Sequence, residues 1–464
     1  MKRTLRRSTL ILIFTIAFIV GIGFFVVELA VNAKDWVDQP YNAHISGSGG
    51  LEQAGKILDR NDAPLAQTID GERVYHENES VRKALLHTVG DNSLNISTAV
   101  QSKYRSNLTG YSLVWGLNMP QSMRSSRDIT LTVDADTCAA AYNTLYTGFE
   151  EPKRGACVVY NYKTGEVICS VSTPGYDPQD PPHITEENES LYDGVYLDNV
   201  LSSTFTPGSI FKIVTAAAAI ENIPDIYDRT WYCEGTEMIG EHEVHCYNET
   251  AHGELDLKGA MEHSCNIVFA KLAVELGPEK MNAMAEKMGI NMSFAVDDIG
   301  TPKGHYKAPE NDVNLLGWTG VGQGSGDYED KVNPMQMAII CAAVANQGTA
   351  VSPTYIKSGT GDLLKDIGVT RNKNYDLLSA GTAAQVGEIM PEYTLGGLTV
   401  HGKTGTAEVG EEKAPNAWFV GYTTDEDCPL AFACVVENAG AGSEYAIPLA
   451  EATLTAAAQL RGNM

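Results

Sequence analysis

The chain has 464 residues, more than one ordinary domain holds, and its 43% hydrophobic and 20% charged content excludes a disordered protein. With 59 acidic residues against 33 basic ones the net charge is -26, which excludes a surface built to neutralise nucleic-acid phosphates. No nucleic-acid partner is expected.

The N-terminus departs from this acidity. "MKRTLRRS" carries Lys2, Arg3, Arg6 and Arg7 and no acid, and an apolar run follows from Leu10 to Val31, broken by Thr15, glycines and Glu28. At helical rise about 20 residues cross a hydrocarbon core of roughly 30 Å. Residues 1–9 are expected to stay cytoplasmic and residues 10–31 to form a transmembrane anchor, leaving the bulk of a single-pass cell-membrane protein extracytoplasmic. Cleavage after Ala33 is the competing reading, since Val31 and Ala33 fit the small-residue rule. The apolar run exceeds the roughly 7–15 residues of a signal-peptide core, so an uncleaved anchor is favoured.

"NAKDWVDQPYNAHISGSGG" reads as a linker, and "GKILDRNDAPLAQTIDGERVY" as a strand, a turn at Asn61-Asp62 and a second strand. In "DITLTVDADTCAAAYNTLYTGF" a strand precedes a helix that Asp134 is suited to cap. A boundary near residue 150 divides a linker and mixed N-terminal domain, 32–150, from a second domain, 151–464. The second domain opens with a hairpin in "RGACVVYNYKTGEVICSVSTPGYDP". A helix in "GAMEHSCNIVFAKLAVELG" is expected to end at Gly277, and another to start with Asn333 as cap and Pro334 in its first turn. Strands in "GGLTVHGKTGTAEV", "NAWFVGYTT" and "PLAFACVVEN" precede a closing helix in "EYAIPLAEATLTAAAQLRG". Strands at both ends with helices between predict an α/β (α+β) domain, a central antiparallel sheet flanked by helices.

Of nine cysteines, Cys138, Cys157, Cys169, Cys341 and Cys434 sit in apolar contexts and read as small buried hydrophobes. Cys233 and Cys246 bound "WYCEGTEMIGEHEVHCYNET", read as two short strands around a turn. Outside the membrane they are a disulfide candidate. A zinc site with His242, His245 and His252 is the other reading, but the spacing matches no familiar ligand pattern, and no metal or other cofactor is expected.

"TFTPGSIFKIVTAAAAIEN" places Ser209 and Lys212 three residues apart, on one helical face, where an amine can take a proton from a hydroxyl. A nucleophilic serine also needs an oxyanion hole and groups to hold substrate. Ser209-Ile-Phe-Lys212, Ser264-Cys-Asn266 and Lys403-Thr404-Gly405 form the S-x-x-K, S-x-N and K-T-G set. Decoys occur in the same order: Ser80-Val-Arg-Lys83, Ser93-Leu-Asn95 and Lys163-Thr164-Gly165. Context favours the first set. Lys163 lies at a hairpin turn, whereas "TVHGKTGTAEV" continues along a strand, with Lys403 and Gly405 on one face and Thr404 and Thr406 on the other. Ser209 sits at a helix start, whose backbone N–H groups favour negative charge. Ser80 and Ser93 lie only thirteen positions apart, too little chain to close a site.

From about Asp128 onward the chain resembles the transpeptidase domain of a class B penicillin-binding protein. The resemblance is carried by "DITLTVD", "TPGSIFKIVTA", "HSCNIVFAKLAVELG", "VGQG", "VNPMQMA", "HGKTGTAEV" and "NAWFVGY", and "GKILDRNDAPLA" is similar to the start of that family's N-terminal pedestal. No glycosyltransferase domain fits before the pedestal, which argues against class A. Ile210 and Val200 depart from the family's usual Thr and Arg; Ile210 is expected to pack in the core, and the missing Arg bears on a structural contact.

The resemblance implies a peptidoglycan D,D-transpeptidase for cell-wall synthesis, inhibited covalently by β-lactams. Ser209 would attack a D-Ala-D-Ala stem peptide, Lys212 take its proton, Ser264 relay a proton to the departing D-Ala, and Asn266 hold substrate amide and Lys212. Lys403, Thr404 and Thr406 would bind the substrate carboxylate, with Gly405 admitting substrate close to the backbone. The N–H groups of Ser209 and Thr406 would form the oxyanion hole. Cys265 reads as inert packing, and His401 and Glu408 as strand-surface residues. A membrane glycan polymerase is the implied partner. Alternatives are a scaffold that activates such a polymerase, a D,D-carboxypeptidase, and a β-lactam sensor or β-lactamase, although no carboxylate is placed to activate the water a β-lactamase needs. The anchor predicts that the full chain remains in alkali-washed membranes, as read by immunoblotting; a mature chain starting at Lys34 and found in the soluble fraction would contradict it.

Overall fold

The computed structural model describes residues 2–37, 51–110, 128–359, 373–410 and 413–462. The helix Lys2–Val37 contains an apolar stretch, Arg6–Glu28, that is long enough to cross a membrane and is not buried against the rest of the protein. The first residues of the expected linker, 32–37, instead continue this helix, and the rest of it, 38–50, lies outside the described residues.

The N-terminal strands Ile57–Leu58, Pro64–Ile69 and Glu72–Tyr75 form an antiparallel meander around the Asn61-Asp62 turn, where Asp62 has φ +64°. Strand Ile129–Leu131 adds to it in parallel, and Ile356–Ser358, from far along the chain, pairs on its outer side. Asp134 caps the helix Ala135–Thr147 by accepting from the N–H of Thr137, as the sequence predicts.

Six strands form the main sheet, all pairs antiparallel, in the order Glu392–Leu395, Leu398–Ala407, Asn416–Thr423, Leu430–Val436, Gly155–Asn161, Val167–Thr173. Four of these strands are buried at every residue, so they read as continuous apolar runs rather than alternating ones. The closing helix Gly442–Ala457 lies across one face, where Cys157 meets Thr453 at 3.5 Å, with Ala135–Thr147 packed against it. Helix Pro334–Ala345, with an Asn333–Gln336 capping box and Pro334 in its first turn, covers the other face. The predicted α+β class, an antiparallel sheet between helices, is borne out.

Two local departures have physical causes. Helix Asn266–Lys287 stops at Gly277, whose φ is +74°, and restarts at once because Pro278 suits a first helical turn. The segment read as two strands around a turn holds three, Trp231–Cys233, Thr236–Ile239 and His242–His245. The last two form the hairpin, while the first pairs with Gly253–Leu255.

Close approach in the main sheet depends on Gly402 facing Gly421: a Cβ on Gly421 would lie 2.3 Å from the His401 carbonyl, and one on Gly402 2.6 Å from the Phe419 ring. Gly421→Ala is therefore expected to destabilise the domain by about 1–3 kcal/mol, seen as a lowered midpoint in thermal unfolding.

Candidate active site

Strand Glu392–Leu395 pairs only with residues 398–401 of its neighbour, which leaves Lys403–Ala407 with an open edge. The tight turn Gly208–Phe211 lies against that edge and leads into helix Lys212–Asn222. Gly208 has φ +53°, and a Cβ there would come within 2.9 Å of Ala407 Cα and the Thr406 carbonyl. The missing side chain thus brings the backbone at Ser209 against the strand at Thr406. Two further contacts fix the turn: the Gly208 N–H donates to the Gly322 carbonyl at 3.0 Å, and the Trp418 indole donates to the Thr206 carbonyl at 2.9 Å.

The three sequence fragments meet here. Lys212 is fully buried at the start of its helix. Its Nζ lies 2.9 Å from Ser209 Oγ, 3.1 Å from Ser264 Oγ, and 2.7 Å from both the Ser264 carbonyl and Asn266 Oδ1. Lys403 reaches the same hydroxyl from the strand, donating to Ser264 Oγ at 2.8 Å and to its neighbour's carbonyl at 2.9 Å. Asn266 is held by donating to the His245 carbonyl at 2.9 Å. Ser264 is in the left-handed region at φ +53°, a strained backbone for a residue with a side chain. Ile210 is buried, as expected.

Thr404 and Thr406 face an open cleft of about 910 Å³ that Ser209, Ser264 and Asn266 also line. Its lining also includes Tyr247, Trp318 and Gln323, which the sequence reading did not single out, although "VGQG" contains Gln323. The Gln323 amide nitrogen is buried without a hydrogen-bond partner among the described residues, a donor left for whatever enters the cleft. Glu408 also borders the cleft, while His401 stacks on Tyr422 behind the strand.

The decoys lie elsewhere. Lys83 is paired with Glu79 at 2.6 Å, Asn95 donates to Asp91, and Lys163 donates to Asn346 at 2.7 Å.

Burial pushes the Lys212 ammonium down from about 10.5 to about 7, partly offset by the nearby Cys265 and Cys246 thiols. Lys403 is pushed well below its ordinary value by burial and then by the charge of Lys212. A neutral Lys212 can donate two protons, to Asn266 and to the Ser264 carbonyl, and turn its lone pair toward Ser209. A hydroxyl beside a neutral buried amine is the arrangement that nucleophilic catalysis by serine requires.

The family profile described as "Penicillin binding protein transpeptidase domain" matches residues 155–455. The chain belongs to the penicillin-binding protein transpeptidase family. Among curated relatives, the peptidoglycan D,D-transpeptidase PbpA of Mycolicibacterium smegmatis is 26% identical over 367 residues, 71% of this chain and 72% of that protein. The D,D-transpeptidase domain of a peptidoglycan glycosyltransferase from Eggerthella lenta is 27% identical with a TM-score of 0.72, over 89% of this chain and 99% of that one. Penicillin-binding protein A of M. tuberculosis, solved as a penicillin G acyl-enzyme complex, is 25% identical with a TM-score of 0.72, over 88% of this chain and all (100%) of that one. The resemblance to class B penicillin-binding proteins is borne out.

If Lys212 is the base, its deprotonation makes acylation by a β-lactam rise with pH through about 7 and level off above it. Acylation rates of a fluorescent penicillin across this range test that; a flat profile would remove Lys212 as the base.

Proposed function

We infer that the protein is a serine-type peptidoglycan D,D-transpeptidase that crosslinks stem peptides in cell-wall synthesis and is inhibited covalently by β-lactams. The observation that carries this reading is the contact between Ser209 Oγ and the buried Nζ of Lys212, at 2.9 Å, inside a family member's open cleft.

Ser209 attacks the penultimate D-Ala carbonyl of a donor stem peptide as Lys212 takes its proton. The N–H groups of Ser209 and Thr406 receive the oxyanion, a contribution of about 3 kcal/mol per donor; the close approach at Gly208 supports this assignment. The terminal D-Ala leaves with a proton passed through Ser264, whose Oγ contacts both lysines. Lys403, Thr404 and Thr406 hold the substrate carboxylate, and Asn266 orients the substrate amide together with Lys212. Gly405 does not have the expected role of admitting substrate: a Cβ there would meet Ile210, the Pro207 carbonyl and Trp418 at 3.0 Å, so the glycine lets the Ser209 turn pack against the strand. An amine from a neighbouring stem then attacks the acyl-enzyme, forms the crosslink and frees Ser209.

In this reading residues 151–464 are the transpeptidase domain, 32–150 the linker and pedestal, and 10–31 the anchor. Basic residues 1–9 remain cytoplasmic and the bulk of the chain lies outside the membrane. Pedestal and anchor, which carry none of the reacting side chains, are the parts proposed to engage a membrane glycan polymerase.

Fluorescent penicillin labelling tests the assignment. Ser209→Ala should abolish labelling, by well over a hundredfold, while Ser80→Ala leaves it unchanged. Labelling that persists in folded Ser209→Ala would refute the nucleophile.

A further inference from the structure

The segment from Trp231 to Cys265 forms a small lobe beside the cleft. Its two sheets have two strands each, of three or four residues, and it leaves Tyr232, Met238 and Tyr247 largely exposed. So little apolar burial does not stabilise a lobe by itself; lobes of this size are usually stapled.

Four side chains converge at its base. Cys233, Cys246 and Cys265 are fully buried and His252 is half-buried, and their donor atoms all lie within 4.8 Å of one another. Cys233 Sγ is 3.7 Å from Cys246 Sγ and 3.4 Å from His252 Nδ1, and Cys246 Sγ is 3.8 Å from Cys265 Sγ. A tetrahedral zinc with Zn–S near 2.3 Å and Zn–N near 2.0 Å requires edges of about 3.8 Å between sulfurs and about 3.5 Å from sulfur to nitrogen. The backbone holds these residues in place: the His252 N–H donates to the Cys233 carbonyl, and the Cys246 N–H to the Gly235 carbonyl. Gly235 has φ +95°, and a Cβ there would meet the Glu249 carbonyl at 2.1 Å, so the chain turns tightly just after the first cysteine.

We propose that Cys233, Cys246, His252 and Cys265 bind one structural zinc ion, a closed Cys3His site that fixes the loop carrying Ser264 and Asn266. Binding displaces the three thiol protons, and the ion takes three thiolates and one neutral imidazole nitrogen. The cluster differs from both readings of the sequence. A Cys233–Cys246 disulfide would leave the third thiol and the imidazole unexplained, and His242 and His245 lie outside the group, with the His245 ring against Trp318. Cys265 acquires a role beyond packing. It stands between the two residues that hold Lys212, so the ion would tie the lobe to the strained turn at Ser264.

The test uses full-length protein purified in detergent without chelator, with metal content read by elemental mass spectrometry. One zinc per chain is expected, falling about tenfold or more in His252→Ala and in Cys265→Ser. After chelation in denaturant, refolding with Co²⁺ should give the intense visible bands of a tetrahedral, thiolate-rich site. Zinc removal should slow fluorescent penicillin labelling by about tenfold to a hundredfold, with recovery on adding zinc and none on adding magnesium. Folded wild-type protein without zinc and without the cobalt spectrum, a native Cys233–Cys246 disulfide in non-reducing mass spectrometry, or full zinc retention in both variants would each overturn the proposal. Loss of zinc without slower labelling would overturn the positioning role. Zinc-loaded protein that never labels would leave the metal site standing and refute the transpeptidase reading.

Discussion

Lys212 and Lys403 are both fully buried, and Ser264 Oγ sits between their Nζ atoms, 3.1 Å from one and 2.8 Å from the other. Burial disfavours the charge of both amines, and the charge of Lys212 pushes Lys403 down further. Most of the surrounding structure answers to this constraint. The carbonyl of Ser264 and Oδ1 of Asn266 satisfy the donors of Lys212, Asn266 is itself anchored by the His245 carbonyl, and the strained φ of Ser264 points one residue's carbonyl and hydroxyl at the same amine. A buried lysine with fewer partners would be strongly destabilising. With these partners it is held in place while burial brings its pKa down to about 7.

The sheet supplies the rigidity this arrangement needs. Strands buried on both faces do not shift easily, and the open edge at Lys403–Ala407 begins where the short outer strand Glu392–Leu395 stops pairing. An edge with unpaired backbone groups is a hazard in most proteins. Here it is covered by the Ser209 turn, and what remains open faces the cleft, where an extended peptide can lie along it.

Much of this was legible in the sequence. Short-range chemistry announces itself: Asp134 and Asn333 cap the helices they were expected to cap, and Ser209 and Lys212 are neighbours because three residues of helical chain make them so. The three strands near the C-terminus were readable from their apolar runs. What escaped was set by distance along the chain. Nothing near Trp231–Cys233 marks Gly253–Leu255 as its partner, and the four zinc ligands come from separate segments whose spacing follows no short motif. The left-handed turn at Ser264 was equally hidden, since serine carries no local preference for it.

The N-terminal sheet has a peculiarity of order in time as well as in space. Its outer strand, Ile356–Ser358, belongs to the far half of the chain and reaches the sheet through Ile129–Leu131. A chain emerges N-terminus first, and domains generally fold as they appear. This sheet cannot close in that way: the meander and the Ile129–Leu131 strand wait with one edge unpaired until nearly all of the Ser209, Ser264 and Asn266 region has followed. The N-terminal sheet is therefore completed only after residue 358, ahead of the strands from Glu392 onward that finish the main sheet.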